Sequence, residues 1–136
     1  MDATLRDFSA LMLRLWVGVC VAVAHGYPKV ADTQAYLASE SIQTAYMPVV
    51  TGWAVMLGQL IGGSLLAVGL FTRFSSVLVG VVMLGVAFVG ATDGPWVTRE
   101  LALTYAILCL FFIAIGGGKL SLDAHFDRRR RTKSPW

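Results

Sequence analysis

Charge is what this chain has least of. Asp, Glu, Lys and Arg make up only 14% of its 136 residues against 57% hydrophobic ones, and the mean hydropathy is +0.70. A small soluble domain must clothe itself in polar side chains, so a free-standing aqueous fold is excluded and lipid is the solvent that tolerates such a surface. Cysteine is scarce too. Cys20 and Cys109 sit far apart within apolar runs and belong to no CxxC pair, which leaves no thiol-redox or metal motif. Their default reading is as small, buried apolar residues; a disulfide between them would need adjacent helices with Cα atoms within about 7 Å. Flavin and nucleotide fingerprints, a haem-ligand pair and a metal-ligand set are all missing, so electron transfer through this chain would need a partner protein. Internal repeats are absent, as is low complexity beyond a basic tail.

What is present is four apolar runs in one domain, 1–136. They predict spans at about 8–24, 49–71, 74–89 and 99–116, followed by a basic tail at 119–136. The third and fourth runs fall short of the roughly 20 residues a helix needs to cross hydrocarbon, and flanking Gly and Thr residues extend them. The first run mimics a secretory signal, with Ala22-Val23-Ala24 resembling a cleavage site. Asp2 and Asp7 dilute its positive start, so it is read as a retained span. The expected fold is all-α, an integral membrane four-helix bundle.

Lys and Arg placement sets the orientation. With four spans, Arg6, Arg73, Lys119, the run Arg128-Arg129-Arg130-Arg131 and Lys133 share one side, and only Lys29 and Arg99 lie on the other. Both termini are therefore expected in the cytoplasm of a multi-pass inner (cytoplasmic) membrane protein, with loops 26–48 and 90–99 outside. Gly26 and Pro28 are expected to break the first helix. In the long outer loop, Ala38, Ile42, Ala45 and Tyr46 fall at helical spacing and predict a short amphipathic helix on the membrane surface. Tyr27, Tyr36, Tyr46, Trp53 and Trp96 fall where outer interfacial aromatics belong. The arginine run attracts anionic lipid at roughly 1 kcal/mol per residue; directly behind a span, it is read as a topology anchor and not as a nucleic-acid site.

Polar groups inside spans are costly and need a reason. Arg14, about two turns into the first helix, either snorkels to the headgroups or turns into the bundle to bind a carboxylate or anionic ligand, with Asp123 as candidate partner. Gln59, near the middle of the second span, either makes an interhelical hydrogen bond worth roughly 1 kcal/mol or lines a ligand cavity. His25 and Glu100 are placed at the outer end of the first and fourth helices, with Glu100 in a helix start that Thr98 would cap. They either close the top of the bundle or relay protons. Gly58, Gly62 and Gly63 form a GxxxG-type packing face, and Gly80 and Gly85 thin the third helix; such faces serve contacts within a chain or a homo-oligomer.

Taken in order, these residues resemble the DoxX family of small membrane proteins. Arg14 and Gly18 are followed by His25-Gly26 and Lys29. The second span reads Gln59-Leu60-Ile61-Gly62-Gly63-Ser64-Leu65-Leu66-Ala67-Val68-Gly69-Leu70-Phe71-Thr72-Arg73, similar to the family's glycine-rich helix and Thr-Arg turn. The last span reads Glu100-Leu101-Ala102-Leu103-Thr104-Tyr105 and closes with Gly116-Gly117-Gly118-Lys119-Leu120-Ser121-Leu122-Asp123. The resemblance implies a four-helix bundle broadly similar to that of vitamin K epoxide reductase. It also implies an association with membrane redox systems, since some relatives are described as quinone-linked thiosulfate oxidoreductase subunits and others as partners of thiol-stress proteins. At one point the chain departs from the pattern: Gln59 stands where relatives often carry Glu, so no proton-carrying carboxylate is available there.

Two functional readings follow. In one, the chain is a redox-associated subunit whose bundle holds a quinone-like or other lipophilic molecule among Arg14, His25, Gln59, Glu100 and Asp123. In the other, it is a non-catalytic scaffold or accessory subunit that packs against other membrane proteins. The orientation has a direct check. A fluorescent-protein reporter fused behind the basic tail is expected to glow and an alkaline phosphatase reporter there to stay inactive; the opposite pair of results would invert the topology.

Overall fold

A computed structural model of the chain describes residues 3–90 and 96–133, and among these the secondary structure is entirely helical. Four helices are long and apolar enough to cross a membrane: Thr4–Ala31, Pro48–Val68, Thr72–Val89 and Trp96–Ile115. Their outward surfaces are apolar, with Trp16, Val81, Phe88, Ile107 and Leu110 each more than 60% exposed, while Arg14, Gln59, Thr72, Ser75 and Ser76 are buried. That inversion suits a hydrocarbon solvent, in which polar groups must be satisfied inside the protein. Ser75 and Ser76 meet the requirement locally by donating to the helix carbonyls of Phe71 and Thr72.

The first span is one rod made of α1 (Ala3–Val19), a π-helical segment (Cys20–Gly26) and α2 (Tyr27–Ala31). The 28 residues from Thr4 to Ala31 are about 42 Å long at 1.5 Å per residue, more than the roughly 30 Å of hydrocarbon. The expected break at Gly26 and Pro28 does not occur. Pro28 has no N–H to continue an i→i−4 ladder, and the chain absorbs the defect by widening, with the Tyr27 N–H reaching back to the Ala22 carbonyl. Such bulges keep a helix continuous while re-aiming its side chains.

The expected single amphipathic helix of the long loop is two short ones, α3 (Thr33–Leu37) and α4 (Glu40–Gln43). The Asp32 carboxylate caps α3 by accepting from the Ala35 N–H, and the extended backbone of Ser39 separates the pair. Ile42 and Ala45 turn inward and are buried, while Tyr46 is 96% exposed, so the four residues do not share one face. Beyond the loop lie α5 (Pro48–Val68), α6 (Thr72–Gly85) with a second π-helical segment (Val86–Gly90), and α7 (Trp96–Ile115). The basic tail forms a helix, α8 (Leu122–Lys133).

Close approach of backbones sets the packing. A Cβ on Gly18 would lie 2.4 Å from the Ala67 nitrogen, and one on Gly63 would lie 2.8 Å from the Ala22 nitrogen, so α1 and α5 touch backbone to backbone. Gly58 and Gly62 face elsewhere, toward Val82 and Val79 of α6. The expected glycine face therefore serves two partners, and Gly18 supplies the missing half of the α1 contact. The core closes around Val17, Val21, Leu66, Val79, Met83, Tyr105, Cys109 and Phe112.

Because the obstacle at Gly63 is backbone, Gly63→Ala is expected to destabilise the bundle by about 1–3 kcal/mol. Gly85→Ala, whose new methyl meets nothing within 4 Å, is expected to be neutral or mildly stabilising. Unfolding of both variants in detergent micelles reads the difference; equal midpoints would mean that α1 and α5 do not cross at Gly63.

Candidate ligand site at the loop end

The bundle has two polar centres, one at each end. At the end that holds α8, Arg14 is 1% exposed and points into the protein. Its Nη1 donates to the Gly117 carbonyl at 2.5 Å and its Nη2 to the Leu120 carbonyl at 3.1 Å. The guanidinium lies against Gly69, where a Cβ would come within 2.6 Å of Cζ. Gly69 also has φ +76° and closes α5 with a Schellman pair, Leu70 N–H to the Leu65 carbonyl and Gly69 N–H to the Leu66 carbonyl. Glycine is thus required there twice, for conformation and for space.

Asp123 completes this tie. Its two carboxylate oxygens accept from the Phe71 and Thr72 N–H groups at 2.7 and 2.8 Å, and its own N–H donates to the Gly69 carbonyl. These bonds hold Phe71 in the left-handed region, φ +49°, which costs a non-glycine residue about 1–2 kcal/mol. The carboxylate interacts electrostatically with Arg14, yet the two make no direct hydrogen bond. Close by, Asp7 is nearly buried beside Gly118 and pairs with the exposed Lys119 at 3.9 Å. Among the fully buried side-chain nitrogen and oxygen atoms of this centre, Arg14 Nε and Thr72 Oγ1 lack a hydrogen-bond partner. It is a fastener between α1, the α5–α6 turn and the α7–α8 connection.

The other end is built around Lys29 and Gln59. A Cβ on Gly26 would lie 2.7 Å from the Leu60 nitrogen, so the first rod presses on α5 at Gln59 and Leu60. One turn further, the Lys29 ammonium donates to Gln59 Oε1 at 2.5 Å and lies 5.3 Å from the centre of the Tyr36 ring, within cation–π range. Gln59 is 1% exposed, and its amide nitrogen reaches the Met83 sulfur at 3.9 Å. Lys29 and Tyr36 form part of the wall of a cavity of about 590 Å³, within the range of small-molecule sites. Ser41, Tyr46 and Thr51 add polar atoms, whereas Val50, Ala54, Val81, Val86 and Val89 are apolar. Exposed Val50, Val81 and Val89 open the cavity sideways toward the surrounding lipid. Burial raises the Tyr36 phenol above its ordinary pKa of 10.0, so the ring stays neutral at physiological pH.

The structure does not bring His25 and Glu100 together. His25 packs edge-on against Tyr105, ring centres 5.6 Å apart, and Tyr105 in turn interacts with Cys20. Glu100 is exposed in the early turns of α7, a helix that starts at Trp96, so Thr98 lies inside it and is not its cap. Among the described residues no hydrogen bond or ion pair joins Glu100 to His25. Cys20 and Cys109 are free thiols. Lys29 and Tyr36 were not among the site residues expected from the sequence; Lys29 was legible as the cation of the long outer loop and as part of the family pattern after His25-Gly26, and Tyr36 as an interfacial aromatic.

A fastener at one end and a half-open, cation-bearing pocket at the other define a small four-helix integral membrane protein. The family model described as DoxX matches residues 9–92, more than half of the chain, and the chain belongs to the DoxX family. That match takes in the first three spans; the fourth span and the glycine-rich connection at 116–123 lie beyond it. Comparison with curated proteins and with solved structures gives no match.

Arg14→Met leaves the Gly117 and Leu120 carbonyls without their donors and is expected to cost on the order of 3 kcal/mol. Arg14→Lys should recover only part of this, since an ammonium lacks the guanidinium's planar fork. Asp123→Ala, which uncaps the α5–α6 turn, should cost about 1–2 kcal/mol. Unfolding in micelles measures all three; an Arg14→Met chain as stable as the parent would remove the fastener from the account.

Proposed function

We propose that this chain is a redox-associated subunit of the inner membrane that holds a quinone-like lipophile in the pocket at its loop end. The supporting observation is the Lys29–Gln59 pair in the wall of a cavity that is apolar on its membrane side. A quinone needs a hydrogen-bond donor for its carbonyl oxygen, flat or aliphatic surface for its ring, and an apolar exit for its tail. Lys29 would supply the donor, Tyr36 and Tyr46 aromatic surface, and Ala54, Val81 and Val89 the path to lipid. When bound, the quinone supplies reversible two-electron, two-proton chemistry. This chain carries no electron-carrier motif of its own, so a partner protein would exchange the electrons.

Lys and Arg placement puts both termini and α8 in the cytoplasm and the pocket in the outer half of the bilayer. In that orientation the basic tail is on the side whose anionic lipid attracts it.

A second reading, a non-catalytic accessory subunit, draws on the groove between α6 and α7. This cavity of about 160 Å³ has Gly80 and Ala106 in its wall and is apolar, a recess that takes a side chain from a partner's helix packed over it. Crosslinking in mild detergent separates the readings.

Extraction of purified protein is expected to release quinone close to one per chain. Ala54→Trp, which fills the pocket, should lower this several-fold without changing the unfolding midpoint. Protein that carries no quinone, and gains no thermal stability when quinone is added, would rule out the ligand reading.

A further inference from the structure

Lys29 carries more hydrogen-bonding and electrostatic capacity than the protein uses. An ammonium has three N–H donors, and one goes to Gln59 Oε1. The Tyr36 ring covers a second flank of the charge. Neither partner is anionic. Among the described residues no carboxylate lies within ion-pair distance of Lys29, and its ionisable neighbours do not fill that role. Asp32 is exposed and engaged by the Ala35 N–H, Glu40 is exposed on the outer face of α4, and His25, which interacts with Lys29 electrostatically, is a base. A half-buried cation beside an apolar wall, matched only to a neutral amide and a neutral phenol, sets up a positive potential inside the cavity.

The other buried cation of the bundle has an acidic neighbour, which Lys29 lacks among the described residues. At the other end, Arg14 spends its Nη donors on two carbonyls and has Asp123 near by. Lys29, in the wall of a cavity open to lipid, keeps donors and charge available on its open side.

We infer that the loop-end pocket selects an acidic amphiphile, a single-tailed lipophile whose headgroup bears one ionised oxygen that pairs with Lys29. This rests on the ligand reading above and narrows it. Two sources share the chemistry: a ring hydroxyl acidified by neighbouring carbonyls, as in a hydroxyquinone, or a fatty-acid carboxylate. In either case the ionised oxygen accepts a charge-assisted hydrogen bond from Nζ, while the ring or chain lies along Ala54, Val81 and Val82. Gln59 is a positioning residue. Its carbonyl oxygen holds the ammonium at the cavity wall without cancelling its charge, which a carboxylate there would do.

The test uses the full chain in nanodiscs of zwitterionic lipid and measures binding by fluorescence quenching. Two probe pairs are compared, a hydroxynaphthoquinone with its methyl ether and a fluorescent fatty acid with its methyl ester. The acid of at least one pair is expected to bind about tenfold to a hundredfold more tightly than its neutral partner, as a charge-assisted hydrogen bond implies. The pair that shows the preference names the source. Lys29→Met should abolish the preference and Lys29→Arg should retain it, which separates loss of charge from loss of fold. Gln59→Glu, which supplies a counter-ion, should also reduce it. Neutral probes binding as well as their acids, or a preference that survives Lys29→Met, would overturn the inference and leave the lipophile pocket standing. No binding by any probe, with Ala54→Trp indistinguishable from the parent, would overturn both.

Discussion

A guanidinium that cannot reach water has to be matched by the protein around it, and the arrangement of one whole end of this bundle follows from how Arg14 is matched. Its fork reaches across to the carbonyls of Gly117 and Leu120, in the connection between α7 and α8. The residue at the surface of the guanidinium must be glycine, because anything larger at position 69 would occupy its place. Gly69 also ends α5, and the turn that follows is held by Asp123 from the far side of the connection. One charge thereby links the first span, the second turn and the chain after the fourth span. Had Arg14 snorkelled to the headgroups, the first span would lose its bonds to the α7–α8 connection.

The two ends of the molecule handle charge in opposite ways. Arg14 is tied into the structure: each terminal nitrogen donates to a backbone carbonyl and a carboxylate is near, while a cavity of about 750 Å³ lies beside it against Thr72, Gly117 and Asp123. Lys29 is bonded to an amide, shielded on one flank by a ring, and lines the cavity. Both π-helical segments, Cys20–Gly26 and Val86–Gly90, belong to this second end. The first re-aims the chain so that Lys29 reaches Gln59, and the second brings Val86 and Val89 into the cavity wall. Both widened turns lie toward the loop end, and regular α-helical ladders run toward the fastened end.

Between the ends, the spans are held by proximity more than by hydrophobic drive, since lipid tails are as apolar as the side chains they would replace. Gly18 and Gly63 let α1 and α5 meet at backbone distance, where dispersion contacts are densest. The buried hydroxyls of Ser75 and Ser76 fold back on their own helix, so they add no unpaired polar atom to the interior. The same economy explains why the interior is nearly free of acids, with Asp7 and Asp123 confined to the polar end.

The count of four spans and the apolar outer surface were legible in the sequence, because both follow from summed transfer free energy along a segment and need no knowledge of neighbours. Arg14, Gln59 and Asp123 stood out for the same reason, as polar groups whose burial demands a partner. Which partner each takes was not legible. Arg14 meets backbone carbonyls about a hundred residues away in sequence, and a carbonyl has no sequence signature. His25 and Glu100 shared a predicted depth, but depth does not fix the rotation of a helix, and rotation sends one toward Tyr105 and the other outward. Pro28 read as a helix end because a proline removes a donor; only the packing of Gly26 against α5 made a widened turn preferable to a break. Lys29 stood in plain view as an outer-loop cation, and it became a site residue because that widened turn carries it back over the membrane to Gln59. Composition and periodicity thus determined the solvent, the span count and the list of groups that must be satisfied. Tertiary structure alone decided the pairings, since these depend on helix rotation and on backbone atoms that every residue shares.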